Sequence, residues 1–174
     1  HPNKKVYLVG TNLLKNDMIN AGINIVDTED ADIVVSSFDT ELTYKKLHTA
    51  CDALHNGALY LCTHPDFNCP LAGGKLMPDS GAIAAMITAA TGKEPIYLGK
   101  PNAETAKAIT ATTNIPPQSI VCIGDRLYTD IALAKNSGMI SALVLSGETK
   151  LSDITDDNKP DFVFESVYSM IEHI

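Results

Sequence analysis

The sequence predicts an α/β fold built on a largely parallel sheet, and three observations carry that reading. Short apolar runs alternate with helical patterns almost throughout the 174 residues. The apolar runs are bounded by glycine or polar turns, as buried strands are. Glycines 22, 57, 92 and 138 fall just past the helical patterns, where helix C-caps belong. Regular alternation of this kind implies parallel strands joined by right-handed crossovers.

Taken in order, residues 6–9 (Val-Tyr-Leu-Val) predict a first strand, and the pattern over 13–21 predicts a helix that stops before Gly22. Residues 33–36 (Ile-Val-Val-Ser) predict a strand and 43–56 a helix closed by Gly57. Residues 59–62 (Leu-Tyr-Leu-Cys) predict the next strand, and the Ala-rich stretch 80–91 a helix that packs closely on its neighbours before Gly92. Strands follow at 96–98, 120–123, 142–145 and 162–164, with helices over 104–113, 129–137 and 167–174. The linker candidates are 68–78, rich in Gly and Pro, and the polar 152–160. No segment is of low complexity and none repeats.

Length suggests one domain or two small ones, with enough chain for a hydrophobic core. Hydrophobic residues make up 45% and charged residues 20%, an ordinary globular balance rather than a disordered one. The formal net charge of −8 argues against a general nucleic-acid binder. It leaves room for a phosphorylated small molecule, because a local metal and one lysine reverse the sign of a site. The cysteines, Cys51, Cys62, Cys69 and Cys122, show no C-x-x-C spacing, which speaks against zinc and for a reducing, cytoplasmic location. No apolar run reaches membrane-spanning length and no signal peptide is recognisable, so no membrane partner is expected. The chain opens on His1-Pro2 and runs almost at once into a strand, which reads as a cut or engineered start.

The most informative stretch is 120–131, Ile-Val-Cys-Ile-Gly-Asp-Arg-Leu-Tyr-Thr-Asp-Ile. A strand ends at Gly124, the carboxylates of Asp125 and Asp130 follow, and a helical pattern begins. Ligand sites in open α/β sheets lie beyond the carboxyl ends of strands, and carboxylate oxygens suit Mg²⁺. The strand at 96–98 ends in Gly99-Lys100-Pro101, and the one at 142–145 in Ser146-Gly147-Glu148. If the three strands are parallel, Lys100, Asp125 and residues 146–148 emerge on one edge. A lysine and a metal-competent carboxylate there suit phosphate chemistry. Read alone, Asp125 is equally a turn residue, Lys100 a solvated surface lysine, and Asp130 either a partner of Lys100 or of a metal-bound water, or the N-cap of the helix from Ile131. Arg126 reads as a surface or loop-anchoring residue rather than a catalytic one. His64 and Asp66 follow the strand at 59–62, where they either face a substrate or form a polar turn. His48 and His55, seven apart on one helix, lack a third ligand and read as surface residues.

These residues resemble the haloacid dehalogenase (HAD) superfamily, in particular its NagD-like phosphatases with a large α/β cap of the C2 type. Gly99-Lys100-Pro101 matches that group's third motif, residues 124–131 its fourth, and residues 143–149 the strand and loop that follow. In the first half, Phe38-Asp39 with residues 42–47 resembles the cap's strand–helix signature. Thr63-His64-Pro65-Asp66 resembles the group's Thr-Asn-Pro-Asp, and residues 78–82 its Pro-Gly-x-Gly-Ala. Two positions depart from the pattern, His64 for Asn and Asp79 for Gly. The resemblance implies a partial Rossmann-like core over 96–174 and an inserted cap over 4–95.

It further implies a Mg²⁺-dependent hydrolase of small phosphomonoesters, of the sugar-phosphate or 4-nitrophenyl phosphate type, working through an aspartyl-phosphate. Asp125 and Asp130 would hold the metal, Lys100 the phosphate and nucleophile, and His64 and Asp66 the leaving group. The family's nucleophile lies in an Asp-x-Asp motif near its N-terminus, and a second motif supplies a Ser or Thr. Neither is found here. Asp39-Thr40-Glu41 imitates the first after a strand, but its neighbours match the cap. The chain is therefore expected to be a truncated piece, inactive alone, with one side of the strand at 120–123 unpaired and prone to association. An alternative from another class is a non-catalytic ligand-binding or dimerisation module, with a homodimer formed through the cap.

Overall fold

The structure is a computed structural model that describes residues 3–171. The chain divides into two units, with the boundary between Leu98 and Gly99.

The first unit is a five-stranded parallel sheet. Its elements are β1 (Lys5–Val9), α1 (Asn12–Asn20), β2 (Asn24–Ile25), β3 (Ile33–Ser36), α2 (Tyr44–His55), β4 (Leu59–Cys62), β5 (Asn68–Pro70), β6 (Leu76–Pro78), α3 (Ser80–Thr91) and β7 (Ile96–Tyr97). Strand order is β2-β1-β3-β4-β7, and β5 and β6 form a separate antiparallel hairpin. Alternation along the strands sorts two cores. Tyr7, Val9, Val34, Tyr60 and Cys62 face α2 and α3, whose Ala50, Ala53, Leu54, Ile83, Ala84 and Ile87 are buried against them. Val6, Leu8, Ile33 and Val35 face the other way, onto Leu14 and Met18 of α1. The helices begin where side-chain caps occur: Thr11 accepts from the amide of Leu14, Thr43 from that of Lys46.

The second unit contains α4 (Ala103–Thr113), β8 (Val121–Gly124), α5 (Ala132–Ser137), β9 (Ile140–Val144), β10 (Phe162–Phe164) and α6 (Val167–Ile171). Its sheet is parallel, in the order β10-β9-β8. Ala106 of α4 and Leu133 and Ala134 of α5 pack on Ile120, Cys122 and Met139. On β8 the alternate residues Val121 and Ile123 stay 43% and 44% exposed. Among the described residues β8 is an edge strand bonded to β9 alone. Asp161 ties the sheet together, because its Oδ2 accepts from the amide (2.8 Å) and hydroxyl (2.7 Å) of Ser141. Those two donors hold its carboxyl below the usual range.

Several expectations are corrected. The strand predicted at 96–98 covers Ile96–Tyr97 and pairs with β4 in the first unit's sheet. The linker candidate 68–78 is a hairpin whose strands each contain a proline, which masks them in the sequence. The helix predicted over 129–137 opens as a π-helical turn at Leu127–Ile131 and becomes regular only at Ala132. The helix predicted over 167–174 is described to Ile171, and its last residues lie outside the described chain.

Candidate active site

In the second unit the structure brings Lys100 and Asp130 together. Lys100 Nζ donates to Asp130 Oδ1 at 2.5 Å, the carboxylate nearly buried and the lysine half exposed. The other oxygen, Oδ2, accepts from the amide of Arg126 at 3.3 Å. Asp130 does not cap α5: its cap position is Ile131, with no side-chain bond, and the π-helical turn carries the carboxylate back toward β8. A Cβ on Gly124 would lie 2.2 Å from Asp130 Cβ, so only glycine fits at the end of β8. Cys122 Sγ donates to the Asp130 carbonyl at 3.5 Å, and burial, then the Asp130 charge, pushes its thiol up.

Asp125, on the same loop, is fixed from the loop that follows β9. Its Oδ2 accepts from the amide of Glu148 at 2.8 Å, and its carbonyl from the amide of Thr149 at 3.2 Å. A Cβ on Gly147 would sit 2.0 Å from that same Oδ2. The Glu148 side chain is clamped in turn: Oε2 accepts from Arg126 Nε at 2.8 Å and Oε1 from the Tyr128 hydroxyl at 3.0 Å. The Arg126 guanidinium also lies 5.9 Å from the Tyr128 ring centre. Of its two sequence readings, surface residue or loop anchor, Arg126 takes the second. Neither Glu148 nor Gly147 was singled out as a positioning element, since the working groups are a backbone N–H and a missing methyl.

Among the described residues no three His, Cys, Asp or Glu side chains gather into a preformed metal cluster. The two carboxylates nonetheless fit a hard dication. They follow one strand end, all their donors are oxygen, and the missing side chains of Gly124 and Gly147 make room for the carboxylates of Asp130 and Asp125 themselves. Mg²⁺ is usually held by one or two carboxylates, with waters and substrate oxygens completing the shell.

His64 and Asp66 lie in the first unit, beyond the carboxyl end of β4. The His64 ring is held on both sides, with Nδ1 2.8 Å from Thr63 Oγ1 and Nε2 2.8 Å from Asp79 Oδ1. The Asp66 carbonyl accepts from the amide of Gly81 at 2.8 Å. The sequence missed Thr63 and Asp79 as partners of the ring, although two departures from one motif set were a usable signal. Asp39, the imitation nucleophile, has a side chain with no exposure at all: Lys46 Nζ donates to its Oδ2 at 2.8 Å and the Glu41 amide to its Oδ1 at 2.8 Å. That is a buried ion pair, not a reactive group. His48 pairs with Asp52 on its own helix at 3.5 Å and stacks on Tyr44.

Residues 97–170 match the HAD-hydrolase-like family. The chain is 32% identical over 160 residues to an acid sugar phosphatase of Staphylococcus epidermidis, covering 92% of this chain and 61% of that protein. A 4-nitrophenylphosphatase of Thermotoga maritima superposes with a TM-score of 0.89 at 41% identity, over 97% of this chain and 65% of that one. NagD from Escherichia coli superposes with a TM-score of 0.86 at 31% identity, over 96% and 65%. The chain belongs to the HAD superfamily and is similar to its NagD-like members. It spans about three-fifths of the length of the curated HAD relatives it matches. The Asp-x-Asp triplet Asp30-Ala31-Asp32 stands before β3 rather than after a strand, and so does not match the HAD motif. Among the described residues no helix is long and apolar enough to cross a membrane.

Proposed function

We propose that the intact protein is a Mg²⁺-dependent hydrolase of small phosphomonoesters, such as sugar phosphates and 4-nitrophenyl phosphate, acting in the cytoplasm. The observation that carries this reading is the seating of Lys100 on Asp130, with Asp125 fixed on the same loop. The carboxylates of Asp125 and Asp130 would hold Mg²⁺, which neutralises charge building on the phosphoryl oxygens. Lys100, half exposed, offers its ammonium to the phosphate and nucleophile while Asp130 keeps it in place. The nucleophile is the HAD aspartate, and attack by it gives an aspartyl-phosphate that water then cleaves, splitting one hard step into two easier ones. This chain by itself lacks that aspartate and is inactive.

In this reading residues 4–95 form the C2-type cap and 96–174 the later part of the catalytic core. His64 and Asp66 are then the substrate-binding residues of the cap. The named activities of the relatives support the reaction class. The test is turnover of 4-nitrophenyl phosphate by the intact protein with Mg²⁺, and with EDTA as control. Asp125→Ala is expected to abolish the Mg²⁺-dependent rate. An unchanged rate would remove Asp125 from the metal, and no turnover by the wild type would leave a ligand-binding or dimerisation module.

A further inference from the structure

The loops that follow β8 and β9 are joined by one ion pair, and that pair connects the two amides that hold Asp125 and Asp130. Arg126 Nε donates to Glu148 Oε2 at 2.8 Å. The backbone N–H of Arg126 donates to Asp130 Oδ2 at 3.3 Å, and the backbone N–H of Glu148 to Asp125 Oδ2 at 2.8 Å. Each member of the pair therefore grips the other with its side chain and one of the two acids with its main chain. Two further bonds brace the same loops. The Tyr128 hydroxyl, from the π-helical turn that carries Asp130, donates to Glu148 Oε1 at 3.0 Å. The Thr149 amide donates to the Asp125 carbonyl at 3.2 Å.

The pair is partly shielded. The Arg126 side chain is only 18% exposed, against 45% for Glu148, and salt screens a partly buried pair less than an open one. Tyr128 meets both members, Glu148 through its hydroxyl and the guanidinium through its ring. Glu148 is not itself a third ligand, since among the described residues no three such side chains gather around one point.

What the pair fixes is a spacing. Asp130, Arg126, Glu148 and Asp125 form a closed ring of contacts together with the chain that runs from 125 to 130. A closed ring resists any change in the separation of the two carboxylates, and contacts of this outer kind orient the groups that touch a metal. Without the pair the ring is open. Mg²⁺ demands a near-ideal octahedron with oxygens at about 2.0–2.1 Å, whereas Ca²⁺ accepts flexible geometry with oxygens at about 2.3–2.6 Å. A fixed spacing thus matters to the smaller ion far more than to the larger.

Resting on the phosphatase reading, which gives Asp125 and Asp130 to the metal, we propose that Arg126 and Glu148 are positioning residues for metal choice. Their ion pair holds the two acids at a separation that selects Mg²⁺ over Ca²⁺.

The experiment titrates the intact protein with Mg²⁺ and with Ca²⁺ by calorimetry, as wild type, Glu148→Ala and Glu148→Gln. Alanine keeps the backbone N–H on Asp125 and removes only the side-chain clamp. Glutamine keeps an acceptor for Arg126 and a polar partner for the Tyr128 hydroxyl but removes the charge. Glu148→Ala is expected to weaken Mg²⁺ binding about tenfold, and Ca²⁺ binding by less than about threefold because its shell is flexible. Glu148→Gln should stay within about twofold of wild type for both ions, since both hydrogen bonds survive. In the metal-free protein, hydrogen exchange at the Glu148 amide should quicken in Glu148→Ala and not in Glu148→Gln, which reads the bond to Asp125 directly. Thermal melts confirm that both variants fold. Equal weakening of both ions in Glu148→Ala, or no weakening of Mg²⁺, would overturn the proposal while the metal assignment stands. A loss in Glu148→Gln as large as in Glu148→Ala would show that the charge acts and not the clamp, and the proposal falls. If the wild type binds neither ion, the metal assignment and the proposal fall together.

Discussion

Gly147→Ala would test the site through a residue that holds no charge and touches no substrate. The added Cβ would stand 2.0 Å from Asp125 Oδ2 and 2.4 Å from its Cγ. Ordinary contact begins near 3.5 Å, so the carboxylate or the 146–148 loop must give way by roughly 1.5 Å. Gly147 is not in the left-handed backbone region, so the substitution adds no strain of its own. Movement of that size breaks the Glu148 amide bond to Asp125, worth about 1–3 kcal/mol when a charged acceptor loses its donor. Disturbing a group that orients a metal ligand typically weakens metal binding by about 10–100-fold. A displacement of about 1 Å at a reacting centre can cost about a hundredfold in rate. Mg²⁺ titration calorimetry and 4-nitrophenyl phosphate turnover of the intact protein measure both, with a thermal melt to confirm folding. Wild-type metal affinity and rate, within twofold, would refute the argument that the Glu148 amide aims Asp125 at a metal.

Three further outcomes are expected. Lys46→Met leaves the fully buried Asp39 carboxylate without its cation and should cost about 3 kcal/mol in urea unfolding; a change below about 0.5 kcal/mol would mean that Asp39 is not held by the pair. Lys100→Met should lower turnover of the intact protein at least about a hundredfold, with only a small shift in melting temperature because the lysine is half exposed. Asp161→Ala should lower stability by about 1 kcal/mol at neutral pH, after discounting for exposure. A carboxyl held low in the folded state stabilises above its ordinary value, and that contribution is lost as pH falls through the folded value. The gap between wild type and variant should therefore close as pH drops below the ordinary value of 3.8, as read from urea midpoints across a pH series.

Much of the architecture was legible because it rests on local pattern. β3 and β4 coincide with runs of Val, Ile and Leu, and α3 with an Ala-rich run between Asp79 and Gly92. What local pattern does not encode is pairing. The run at 96–98 announces a strand, but nothing in it says that its neighbour is β4 rather than β8. The β5–β6 hairpin was hidden because Pro70 and Pro78 argue against a strand, and a two-stranded hairpin tolerates them at its ends. At the site, Lys100, Asp125 and Asp130 were legible as side chains at strand ends. The groups that aim them were not, since an amide at Glu148 and an absent methyl at Gly147 leave no mark of their own in a sequence. Asp79 was visible as an oddity, and only coordinates reveal that His64 is its counterpart.

The acids at 125 and 130 hang from an edge strand, for among the described residues β8, like β10, has one ladder, and its Val121 and Ile123 are nearly half exposed. An element secured along a single seam opens at lower free energy than one secured along two. Each fraying event therefore scatters the carboxylates before it disturbs β9. Amide exchange along β8 would consequently serve as a clock for how often the acids are in register, and any strand laid along its bare side would slow that clock and sharpen the chemistry in one stroke.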